Sequence, residues 1–105
     1  MISLKKATEL IQSEILKLPV SSNVKLAIMP NETVEFEYGW VFFYQSEEFV
    51  KTGNLNSMVG GNAPLLLDKY TAQILTTGTR MGEDFYIEKY LKHRDSIENY
   101  YNSIQ

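Results

Sequence analysis

Cysteine is absent from this chain, histidine and tryptophan occur once each, and only three prolines interrupt its 105 residues. Without a thiol there is no disulfide framework, no cysteine nucleophile and no thiolate zinc or iron–sulfur site. The lone histidine, His93, excludes the multi-histidine cluster of a typical catalytic zinc centre. A basic excess is also missing. Ten lysines and arginines against 13 acidic residues leave a net charge of −3, whereas a general nucleic-acid binder needs a basic surface to displace counterions. No apolar run approaches the roughly 20 residues that cross a bilayer. The opening residues are too often interrupted by polar side chains for a secretion signal. These absences predict a cytoplasmic protein with no metal, no cofactor, no nucleic-acid partner and no membrane contact.

What remains is ordinary globular composition, 44% hydrophobic and 22% charged, at a length that favours one domain over residues 1–105. Leu4, Ala7, Leu10, Ile11, Ile15 and Leu18 recur at helical spacing, with Ser3 as N-cap and Pro19 closing the far end. Ser21, Ser22 and Asn23 read as a polar connection. Alternation then predicts half-buried strands over 24–29 and 33–38, separated by the turn Pro30-Asn31-Glu32. Gly39 breaks the pattern, and Trp40–Tyr44, apolar on both faces, reads as one central strand. Ser46 caps a short helix over 47–52 that ends at Gly53.

Residues 53–64 are aperiodic, rich in asparagine and glycine, and have no obvious duty beyond connection. Loops of this length are often functional. Leu65–Asp68 and Gln73–Thr77 predict a hairpin around Lys69–Ala72. After Gly78 a polar loop leads to one long helix over Asp84–Ser103, with an apolar stripe through Ile87, Tyr90, Leu91, Ile97, Tyr101 and Ile104. The fold class is α+β: an N-terminal helix, a largely antiparallel sheet of four to five strands with a short inserted helix, and a long C-terminal helix. Helices are expected on one face of the sheet.

Catalytic groups do not converge in the sequence. His93 is flanked by Lys89, Lys92 and Arg94 rather than by an orienting carboxylate, so it reads as a surface or packing residue. Asp68, Glu83, Asp84, Glu47 and Glu48 stand at element ends, where carboxylates cap turns and helices. The glycine-rich stretch lacks the lysine and hydroxyl ending of a phosphate loop, and no G-x-S-x-G elbow is present. Nothing here points to an enzyme.

Four motifs carry a resemblance. Gly39-Trp40-Val41-Phe42-Phe43-Tyr44 runs into Gln45-Ser46. Phe49 leads to Thr52-Gly53. Gly61-Asn62-Ala63-Pro64 precedes an apolar strand closing in Asp68-Lys69. The hairpin exits at Thr77-Gly78-Thr79. In order and spacing this segment resembles the immunity protein 35 family, also called YrhB-like. Ala72 departs from the pattern, since many relatives carry glycine in that hairpin turn.

The resemblance implies a small α+β protein of bacterial polymorphic toxin systems that neutralises a cognate protein toxin by stoichiometric binding. A chaperone-like general binding role is the alternative. The expected partner surface comprises Glu47, Glu48, Asn54, Asn56, Arg80 and Glu83. Gly39, Trp40, Phe42, Gly53, Gly61, Asn62, Pro64, Asp68 and Gly78 are expected to determine the fold.

Overall fold

The computed structural model of the chain describes residues 1–20 and 23–105; Ser21 and Ser22, read above as part of a polar connection, lie outside the described residues. Helix α1 spans Leu4–Ile15 and buries Ala7, Ile11 and Ile15. The Ser3 hydroxyl accepts from the Lys6 N–H at 3.1 Å as its N-cap. Among the described residues six strands follow: β1 (Leu26–Ile28), β2 (Val34–Phe36), β3 (Gly39–Phe42), β4 (Tyr44–Ser46), β5 (Leu65–Asp68) and β6 (Ile74–Thr76). All pairings are antiparallel. β1 and β4 form a two-stranded sheet, and the others form a four-stranded sheet in the order β2-β3-β5-β6.

The single strand predicted over Trp40–Tyr44 therefore divides at Phe43 between two sheets. On one edge its neighbour changes from β2 to β1 across a 3-10 turn at Pro30–Glu32. On the other edge β5 begins only at Leu65, opposite Phe42, and the preceding Pro64 has no N–H with which to extend the ladder.

Helices cover both faces of the larger sheet, not one as expected. Trp40, Phe42, Leu65 and Leu67 pack with Ala7, Ile11 and Ile15 of α1, joined by Leu26, Ile28 and Tyr44. Val41, Leu66 and Leu75 point the other way, against Tyr90 and Tyr100. The apolar run Leu65-Leu66-Leu67 is the sequence trace of a strand buried on both sides.

The long C-terminal helix is two helices, α3 (Glu83–Lys92) and α4 (Ile97–Ser103). His93 leaves helical geometry at φ −124°, and Ser96 starts α4 by accepting from the Asn99 N–H at 3.2 Å. The break folds α4 back, so Tyr100, outside the predicted stripe, is fully buried and meets Tyr90 edge to face. Leu91 and Ile97, within that stripe, are exposed.

Gly39 is required for space rather than for a turn. A Cβ there would collide with the Leu67 carbonyl of the paired strand.

Candidate functional site

Helix α2 (Glu47–Thr52) follows β4 directly. The Ser46 hydroxyl accepts from the Phe49 N–H at 3.1 Å, and Gly53 closes the helix at φ +73°, a left-handed cap suited to glycine. Glu47 and Glu48 occupy the first turn, where the helix dipole favours negative charge. Glu47 pairs with Lys51 at 3.1 Å, and Glu48 is exposed.

The aperiodic segment then makes a 3-10 turn at Leu55–Ser57. Asn54 initiates it, its side-chain oxygen accepting from the Asn56 N–H at 3.1 Å while its carbonyl accepts the Ser57 hydroxyl at 2.6 Å. Asn54 thus has a structural duty that composition did not reveal.

Two side chains of β4, Gln45 and Tyr44, fasten the far half of this segment to that strand, and Asn62 braces it from within. Gln45 Nε2 donates to the Val59 carbonyl at 2.8 Å, and Gln45 Oε1 accepts from the Val59 N–H at 2.7 Å. Asn62 Nδ2 donates to the same carbonyl at 3.0 Å, and the Tyr44 hydroxyl donates to the Ala63 carbonyl at 2.8 Å. Between these fastenings Gly61 takes φ +74°, open only to glycine without strain.

The fastened loop carries two exposed apolar side chains, Leu55 at 73% and Met58 at 46% of their full accessibility. Met58 and Asn56 line a concavity of about 510 Å³ together with Val24, Lys25, Glu47 and Glu48. The structure therefore brings Glu47, Glu48 and Asn56 to one depression, with Asn54 on the same loop. Leu55 and Met58 were missed by sequence reasoning. Their only signal was apolar character inside a polar, aperiodic stretch.

Arg80 and Glu83 are placed apart from that group. Thr77 donates its N–H at 3.3 Å and its hydroxyl at 2.6 Å to the Pro64 carbonyl. Segment 77–82 therefore leaves the sheet at the end where residues 53–64 enter it. Arg80 is exposed in that segment and Glu83 opens α3. Among the described residues, no hydrogen bond or ion pair joins either of them to the α2 group. Gly78 lies under the Tyr86 hydroxyl, leaving no room for a Cβ.

A second polar cluster sits on the opposite end of β5. Asp68 is fully buried and accepts from the Tyr90 hydroxyl at 2.5 Å, Arg94 Nε at 2.7 Å, and the Tyr70 and Thr71 N–H groups at 2.8 and 3.1 Å. Burial by itself would raise its carboxyl, but the bonds from Arg94, Tyr90 and the two amides outweigh it and hold the pKa at about 2. Burial, reinforced by the Asp68 charge, pushes the Tyr90 phenol well above its ordinary range. The Arg94 guanidinium stacks 4.0 Å from the Tyr38 ring centre and 5.6 Å from that of Tyr70. Every group in this cluster is matched, which suits a clasp better than a reactive centre.

His93 ends α3, its N–H donating to the Lys89 and Tyr90 carbonyls. Among the described residues no three histidine, cysteine or carboxylate side chains converge in a way that could hold a metal ion. No helix of the described residues is long and apolar enough to cross a membrane.

A family model described as Immunity protein 35 matches residues 5–93. "Uncharacterized protein YrhB" of Escherichia coli (strain K12) is 34% identical over 55 residues, covering 52% of this chain and 58% of that protein. The match thus spans little more than half the length of this relative. No solved structure matches the chain.

Proposed function

The chain belongs to the immunity protein 35 family, and on that premise we propose that it binds a cognate protein toxin one to one and neutralises it by occlusion, without catalysis. The observation that carries this reading is the fastened 54–62 loop, which presents Leu55 and Met58 beside Glu47, Glu48 and Asn56. Tight complexes use a few apolar anchors ringed by polar contacts. Rigid presentation lowers the ordering cost of association. A standard interface buries about 800 Å² per partner. One end of a molecule with 6572 Å² of surface can supply that area. Glu47 and Glu48 on this surface favour a toxin with a basic active-site cleft.

The test is co-expression with the product of the adjacent gene. Growth should be restored, and a one-to-one complex should co-purify. Persisting toxicity with no complex would sink the proposal. Suppressed aggregation of several unrelated proteins, with no single partner, would replace it by a chaperone-like role.

A further inference from the structure

Gln45 lies at the middle of β4 and is 5% exposed, so it adds nothing to a partner-facing surface by direct contact. Its amide is instead spent on the main chain. Oε1 accepts from Val59 and from Ser46, the latter at 2.9 Å, and Nε2 donates to Val59. A primary amide that donates to and accepts from one residue's backbone reproduces what a neighbouring strand would do. A strand cannot do it here, because β5 stops short at Pro64. Val59 follows Met58 directly, so this pair of hydrogen bonds helps set where the exposed apolar side chains stand. The Val59 carbonyl also accepts from Asn62. Two of the motifs that carry the family resemblance, Gln45-Ser46 and Gly61–Pro64, therefore converge on one carbonyl oxygen.

We infer that Gln45 is a positioning residue for toxin binding: it holds the 54–62 loop in its presenting conformation before the partner arrives. This rests on the surface proposed above. A loop ordered in advance forfeits less affinity to conformational entropy than one ordered on contact.

Amide exchange on the free protein, paired with titration against the purified product of the adjacent toxin gene, tests this. Gln45→Ala is expected to speed exchange across 54–62 by about tenfold while β3 and β5 stay protected, and to weaken binding by about tenfold. Leu55→Ala is expected to weaken binding with loop exchange unchanged. Gln45→Glu keeps the side-chain length and the acceptor bonds but loses the donor to Val59, and it is expected to release the loop as well. It replaces Gln45→Ala if the latter also exposes β3 and β5. Unchanged loop exchange overturns the role of Gln45. So does a freed loop with unaltered affinity while Leu55→Ala weakens binding. Unaltered affinity in Leu55→Ala overturns the surface itself, whatever Gln45 does to the loop.

Discussion

Asp68 is buried, ionised and bonded from three directions: its own turn, α3 and the α3–α4 corner. Folding lowers its pKa from 3.8 to about 2. The carboxylate therefore stabilises the fold above pH 3.8, and that contribution is lost as pH falls toward 2. Linkage puts it at about 2 kcal/mol. Urea unfolding from pH 6 to pH 2 should show this decline, and Asp68→Asn should remove most of it. At pH 7 that variant should be roughly 3 kcal/mol less stable, because Arg94 loses its counter-charge. Ala72 stands at φ +61°, where an L side chain is strained. Ala72→Gly should raise stability by roughly 0.5–1 kcal/mol in thermal melts, the relief being partly offset by a freer unfolded chain. The turn-capping role of Asp68 was legible because it reaches only two and three residues ahead. Its bond to Arg94, 26 residues away, had no local trace.

Elements with local start signals open where they were read, although α1 stops at Ile15, short of the Pro19 that was read as closing a helix over 4–18. Ser3 opens α1, Ser46 and Gly53 bound α2, and Glu83-Asp84 opens α3. Periodicity failed where two elements share one period. The apolar spacing runs on through His93–Asp95, so α3 and α4 read as one helix, although Ser96 is a recognisable cap. At the break Arg94 turns in to Asp68. Ser96→Ala should cost about 1 kcal/mol by chemical denaturation, the usual loss for an N-cap. The Trp40–Tyr44 strand failed similarly. Its alternation is continuous, since Trp40, Phe42 and Tyr44 all face α1. Only its hydrogen-bonding neighbour changes, from the hairpin partner β2 to β1, which lies farther back in the chain.

Across the whole molecule, stability and the proposed binding surface occupy different places. Trp40 is 5% exposed between the sheet and α1, and Trp40→Ala should lower stability by about 3–5 kcal/mol through the cavity it leaves. Leu55→Ala and Asn56→Ala, both at exposed positions, should leave the melting temperature nearly unchanged while weakening toxin binding. A loop variant that unfolds the protein while Trp40→Ala does not would reverse this division.

Composition and short-range pattern were sufficient for the class of protein. The lack of cysteine leaves no thiol chemistry, and the spaced motifs indicated the family. Caps, turns and two-residue alternation are local, so they survive in one dimension. The loop was visible as a break in pattern, but its fastening to β4 was not, because Gln45 reaches Val59 across 14 residues. The two-faced sheet, the Asp68 clasp and the exposure of Leu55 and Met58 likewise depend on which segments meet. That is settled only when the chain packs, and burial then decides which apolar side chains are core and which are left exposed.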